Sequence, residues 1–200
     1  MRKSPLQNRV LATGDIVAVP ERGRFMGNRG ILHDDTQTLG KGRWKHKAWI
    51  ICELVWKDWH RTVMSPRAYT ELFFWDEAVA LAAGHRPCAL CRRKAYNAYR
   101  DAADLTGPAK DMDDRLHDER AIPRKFLQRR EVMDADQLPD GAIVLDDQPK
   151  LILGDQSFAV SPAGYAAPAP RPTGSVIVLT PKTSLNALSG GYRPVIALDH

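Results

Sequence analysis

Cys88 and Cys91 stand two residues apart in Gly84-His85-Arg86-Pro87-Cys88-Ala89-Leu90-Cys91-Arg92-Arg93, the stretch of this chain whose residue types come nearest to chemistry. Two thiolates at this spacing, the first behind a proline and the second in an opening helical turn, can face one tetrahedral ion at about 2.3 Å per bond. A helix N-terminus and the neighbouring Arg86, Arg92 and Arg93 favour thiolate over thiol. Such a pair is half of a zinc site. It reads equally as two reduced thiols filling a helix start. The redox-dithiol reading fits less well, because that motif follows a strand in a βαβ unit and here a helix and a glycine stop precede it. Cys52 is the one further cysteine, so a disulfide framework is not expected and the thiols should be free or metal-bound.

The elements that must position this pair can be read on either side of it. Asp15 to Val19 is a short apolar strand ended by Pro20, and the glycines of the 22–30 stretch favour tight turns. Ala48 to Trp56 is the strongest strand candidate, with a hairpin through Lys57-Asp58-Trp59 returning as Arg61 to Met64. Asp76 is a credible N-cap for a helix over Glu77 to Ala83, and Gly84 is placed to close it in the left-handed conformation. Cys91 to about Leu105 reads as a helix, as does Met112 to Arg120 with Leu116 inward. Pro123 to Glu131 is basic with few apolar anchors, a surface helix or a connection. Ala142 to Leu145, Leu151 to Leu153 and Phe158 to Val160 read as strands of a meander. A proline-rich loop over 162–174 follows, then a strand over Ser175 to Leu179, a helical turn through Lys182 to Leu188, and a strand over Val195 to Leu198. The fold class expected is α+β: an N-terminal β region, a central helical segment carrying the Cys-x-x-Cys, and a small β-rich C-terminal part. The division falls between residues 1–133 and 134–200. Gly84-His85-Arg86-Pro87 has an echo in Gly191-Tyr192-Arg193-Pro194, each closing a helix; glycine reverses the backbone there and proline stops its continuation.

Leu72-Phe73-Phe74-Trp75-Asp76-Glu77 through Gly84-His85-Arg86-Pro87-Cys88-Ala89-Leu90-Cys91 resembles the second half of the zinc-binding N-terminal module of the Ada methylphosphotriester DNA repair proteins. In that module a strand, a short alanine-rich helix ending in Ala-Gly-Phe-Arg-Pro, and a Cys-x-x-Cys pair follow in this order. The resemblance covers about residues 72–93 and implies that Cys88 and Cys91 are the downstream pair of a four-cysteine zinc site on a DNA-contacting module. The family's upstream Cys-x-x-x-Cys is missing. Its second cysteine would fall near Arg61, where the chain offers His60, and Cys52 stands several residues earlier. Cys52 and His60 on the two arms of the hairpin would complete a Cys3His site, which zinc accepts; in their structural readings Cys52 is a small apolar strand residue and His60 a surface residue. The methyl-accepting position has no matching cysteine, so methyl transfer is not carried over. The whole chain also resembles a group of bacterial proteins that share this central motif.

Other chemistries compete. Pro87-Cys88-x-x-Cys91 fits half of the zinc deaminase signature, but the chain's His-x-Glu, His117-Asp118-Glu119, follows the pair instead of preceding it, and Cys52-Glu53 lacks the spacer. A metal-dependent nuclease would draw on His33 or His117. His85 lies three residues before Cys88, but the resembling family has an aromatic ring there and Tyr192 fills the matching place in the echo, so packing is the better reading. The Gly23 to Gly30 stretch lacks the Gly-Lys-Ser/Thr of a phosphate loop. Aromatic and basic residues alternate between Arg43 and Trp75, as on a single-strand-binding surface or, more simply, on an aromatic core face.

Charge adds a partner class. The net formal charge is +5, but residues 1–130 carry 25 Lys/Arg against 16 Asp/Glu, while 131–200 carry 4 against 8. The basic part suits a polyanion such as DNA or RNA, with Arg86, Arg92, Arg93 and Lys94 beside the cysteines as the expected contacts. Hydrophobic residues at 44% and charged residues at 26% exclude a disordered or fibrous chain. No run of 18 apolar residues suggests a membrane span, and the N-terminus has no apolar signal stretch, so a cytoplasmic chain is expected. The function expected is a zinc-stapled, nucleic-acid-binding module. The alternatives are a metal-dependent enzyme of nuclease, hydrolase or deaminase type using the cysteine pair and a histidine, and a metal-free scaffold or interaction protein.

Overall fold

The computed structural model describes residues 5–58 and 62–198. Its elements are β1 (Arg9–Val10), β2 (Ile16–Val17), β3 (Phe25–Asn28), β4 (Ile50–Cys52), β5 (Leu72–Phe74), α1 (Glu77–Ala82), β6 (Arg86–Pro87), α2 (Arg93–Ala102), α3 (Ala109–Arg120), β7 (Ala121–Ile122), β8 (Leu127–Gln128), β9 (Glu131–Asp134), a 3-10 turn over Ala135–Gln137, β10 (Ile143–Leu145), β11 (Pro149–Leu153), β12 (Gln156–Ser161), β13 (Gly164–Tyr165), β14 (Ala169–Pro170), β15 (Ser175–Val178) and α4 (Lys182–Ser189). This is an α+β architecture. The N-terminal sheet runs β2-β1-β5-β3-β4-β6, and the C-terminal sheet runs β13-β12-β11-β10-β15-β9 with β14 on β12. Among the described residues no helix is long and apolar enough to cross a membrane.

Between the two sheets lies α1, buried along its whole length. Its Ala80 and Leu81 face the larger core, which extends from Val10 through Phe74, Tyr99 and Leu116 to Tyr192. Ala78, Val79 and Ala82 face Ile143, Leu151 and Phe158 of the second sheet. A helix that is apolar all round belongs inside, and its alanines let both sheets approach. Asp76 caps it, accepting from the Val79 N–H at 2.9 Å, and Gly84 closes it at φ +86°. The helices α2 and α4 pack closely; a Cβ on Gly190 would stand 2.0 Å from the Ala102 carbonyl.

Several expectations change on the structure. Gly27 lies inside β3 rather than in a turn, because a side chain there would strike the Ile50 carbonyl at 2.0 Å; the glycine lets β3 and β4 pair. The hairpin proposed after Trp56 does not carry β4, whose partners are β3 and β6; Trp59 to Arg61 lie outside the described residues, and Val63-Met64 form a turn. The 123–131 connection is a two-stranded β7–β8 hairpin leading into β9. The proline-rich loop contributes the short strands β13 and β14. Residues 195–198 are extended but join no ladder: the Val195 N–H donates to Glu77 Oε2 at 3.0 Å and the Ala197 N–H to Asp76 Oδ2 at 3.0 Å, so two carboxylates at the start of α1 do the work of a partner strand. The strand β9 pairs with β15, so the C-terminal sheet begins at Glu131.

Candidate metal centre

Parallel pairing of β4 with β6 sets Ile50 beside Arg86 and Ile51 beside Pro87, and the Cys88 N–H continues the ladder to the Ile51 carbonyl at 2.9 Å. The next residues in this register are Cys52 and Cys88. Cys91 follows in the turn ahead of α2, and the three sulfurs lie within 4.8 Å of one another. Cys52 and Cys88 are buried and Cys91 is half-buried. These three cysteines lie close enough together to hold a metal ion. His60, the expected fourth donor, falls outside the described residues.

The thiols behave as one unit. Hydrogen bonds from Cys52 and then Cys91 push the Cys88 thiol far down, and the Leu90 N–H also points at its sulfur, at 3.4 Å. Cys52 is raised, chiefly by its bonds to Cys88 and Cys91 and by burial. For Cys91 the bond with Cys52 lowers the pKa, but Cys88 and desolvation outweigh it and the net shift is upward. A divalent cation bound here would displace the protons these thiols carry.

The arginines around the pair turn inward. Arg86 is 4% exposed and makes a two-pronged pair with Asp113, Nε to Oδ1 and Nη2 to Oδ2 both at 2.8 Å. Arg92 is 7% exposed; its Nη1 and Nη2 reach Glu77 at 2.6 and 3.0 Å, and its Nε reaches Glu53 at 3.0 Å. The expectation that Arg86 and Arg92 face nucleic acid is therefore corrected: their charges are taken by carboxylates, as burial requires. Arg93 and Lys94 are exposed on the first turn of α2. Sequence alone does not mark Glu77 and Asp113, the partners that brace the site. Glu77 reads as an ordinary first-turn acid, and nothing local marks Asp113 as the partner of an arginine 27 residues away.

Ahead of β4, Trp49 is fully buried between two guanidiniums, Arg29 and Arg120, each 4.1 Å from its ring centroid. Burial pushes both arginines down to about 9. Arg29 Nε donates to His85 Nε2 at 3.2 Å, which fixes His85 as a neutral packed ring against Phe74. Burial first, then Arg29 and Arg120, hold its pKa well below the usual value. His33 is buried between Thr70 Oγ1 and the Ser65 carbonyl, and His117 lies edge-on to Trp44 and Trp49. Neither belongs to the sulfur cluster.

All three cysteines line a cavity of about 330 Å³, whose other walls include Trp56, Tyr69, Phe73, Leu90, Glu53 and Glu71. Neither a family model, nor a curated protein, nor a solved structure matches this chain.

Proposed function

We propose that the chain is a zinc-stapled module in which Cys52, Cys88 and Cys91 hold one ion and the exposed basic side chains beside it contact nucleic acid, with no methyl-transfer activity carried over. The observation that carries this reading is the convergence of three thiols from β4, the end of β6 and the turn before α2. An ion there would tie the N-terminal sheet to α2, and binding to the folded chain alone would stabilise the fold. Thiolate sulfur suits zinc, and the shared thiolate at Cys88 lowers the cost of deprotonating the site. For the nucleic-acid half, support comes from the basic N-terminal region and from Arg93, Lys94 and Lys57, all exposed near the cysteines in sequence, with the Lys57 ammonium over the Trp56 ring.

Metal content separates this from a metal-free scaffold. Purified protein should carry about one zinc per chain and release protons as it loads, and Cys88→Ser should abolish loading and lower the melting temperature to that of chelator-treated protein. Binding to short duplex and single-stranded DNA, read by anisotropy across a salt series, tests the partner. Arg93→Ala with Lys94→Ala should flatten the slope of log K against log salt by about 0.7–0.9 per lost phosphate contact. Absence of binding at low salt would remove the nucleic-acid half and leave the metal centre.

A further inference from the structure

Two basic stretches that the cysteine chemistry does not use come together in the fold. Lys41-Gly42-Arg43-Trp44-Lys45-His46-Lys47, in the loop before β4, and Arg124-Lys125-Phe126-Leu127-Gln128-Arg129-Arg130, across the β7–β8 hairpin, each hold four Lys or Arg and no Asp or Glu. They meet through aromatic rings. Trp44 and Phe126 lie edge to face with centroids 5.0 Å apart, and a Cβ on Gly42 would stand 3.7 Å from Phe126 Cζ. Both aromatic residues are half-buried. The tip of the hairpin holds Arg124 at φ +66° and Phe126 at φ +54°, left-handed conformations that side chains of this size disfavour. Such strain persists where the surrounding structure over-determines it, and it clusters at ligand sites.

Some of these cations hold the fold. Lys47 pairs with Asp114 at 2.8 Å, Arg43 Nη1 donates to the Gly40 carbonyl at 2.8 Å, and Arg129 Nε donates to the Ala121 carbonyl at 3.0 Å. Lys41, Lys45, Arg124 and Lys125 are exposed. Lys41 and Lys45, with Asn28 and His46, line a cavity of about 920 Å³ that Gly42 also borders. Asp34 lies in the same wall, where its Oδ1 accepts from the Thr36 N–H at 2.8 Å and the Thr38 N–H at 3.0 Å and so caps its own turn. Exposed cations fit the phosphates of a polyanion, and aromatic rings set among them offer stacking faces that only unpaired bases can use. We infer that the 41–47 loop and the β7–β8 hairpin form a binding surface for single-stranded nucleic acid, with phosphates on Lys41, Lys45, Arg124 and Lys125 and a base stacked on Phe126. This surface goes beyond the function proposed above: it shares the partner class but uses neither the metal nor Arg93 and Lys94.

Anisotropy of the full-length protein with a labelled oligothymidylate tests it, against duplex DNA and an abasic strand of the same length and against phosphatidylserine vesicles. The oligothymidylate should bind about tenfold or more tightly than the duplex or the abasic strand. Lys45→Ala with Lys125→Ala, both at exposed positions, should flatten the slope of log K against log salt by about 0.7 per lost phosphate contact. Phe126→Leu should weaken the oligothymidylate about fivefold or more while the slope and the abasic strand stay as they are. Where Phe126→Leu lowers the melting temperature, the wild-type contrast between oligothymidylate and abasic strand decides the stacking. Wild-type binding by the lysine pair, with Arg93→Ala and Lys94→Ala alone effective, overturns this surface and leaves the earlier reading in place. Absence of strand binding at low salt removes both. Equal binding of the duplex or the abasic strand overturns the assignment to single strands, and preference for the vesicles makes the patch a membrane contact instead.

Discussion

Two helices of this chain end in the same way and lead to different outcomes. At the end of α1 the Gly84 N–H donates to the Leu81 carbonyl at 2.9 Å and the His85 N–H to Ala80 at 3.0 Å; at the end of α4 the Gly191 N–H donates to Leu188 at 3.1 Å and the Tyr192 N–H to Ala187 at 2.9 Å. Both glycines have positive φ, +86° and +100°, and both following rings turn back into the core. This is the Schellman closure. Beyond it the copies part. Arg86 is buried on Asp113 and its strand joins β4, which brings Cys88 to Cys52; Arg193 is exposed and its segment lies along α1. The repeated tetrapeptide is a device for stopping a helix. What the first copy gains, it gains from its neighbours: a parallel strand, a buried acid and a cysteine on the same register.

Paired substitutions separate the two helix ends. The largest contrast is expected between Arg86→Met and Arg193→Met. The first strands Asp113 in the interior and should cost about 3–5 kcal/mol in chemical denaturation, and the second should stay within about 0.5 kcal/mol. Equal effects would mean that the buried pair adds nothing to the first copy. A smaller contrast should separate Gly84→Ala from Gly191→Ala. Each meets about 1–2 kcal/mol of left-handed strain, but a Cβ at Gly84 also strikes Arg120 Cδ at 2.5 Å while one at Gly191 meets nothing within 4 Å. Overpacking should therefore make the Gly84 variant worse by about 1–3 kcal/mol.

The smallest effect is on the pH dependence of stability. Burial holds His85 well below its ordinary 6.5. As pH falls through 6.5 the unfolded chain takes up a proton that folded His85 refuses, so stability present above that pH is lost on acidification. Burial first, then the charge and hydrogen bond of Glu77, push Tyr192 above its ordinary 10, and the stability it lends below that pH is lost as pH rises. Melting curves of His85→Phe should thus lose part of their acid-side slope and those of Tyr192→Phe part of their alkaline-side slope. A swap of these signatures would refute the two environments described.

Local signals carried much of this fold. Asp76 and Gly84 mark the ends of α1 by their chemistry, Leu116 sits inward at helical spacing, and Asp146-Asp147 and Gly154-Asp155 mark the turns that divide the apolar runs of the β10–β12 meander. Long-range partners were not legible. Cys52 reads as an apolar strand residue, and only the parallel pairing of two short strands places it beside Cys88. Arg86 and Arg92 read as a basic surface because the acids that bury them lie elsewhere in the chain. Residues 195–198 are an apolar run that reads as a strand, yet groups that satisfy their backbone are side chains. Glycine is ambiguous in the other direction: Gly27 reads as a turn residue, but its role is to leave room for Ile50.

Glu77 holds the guanidinium of Arg92, the residue next to Cys91, and on the same carboxylate it receives the Tyr192 hydroxyl at 2.5 Å and the Val195 N–H. The last segment of the polypeptide and the sulfur cluster are therefore tethered to one shared anion. Clipping the chain just after Gly190 would unbalance that anion and loosen the arginine beside the third thiol, so damage far along the chain would be felt at the sulfur cluster.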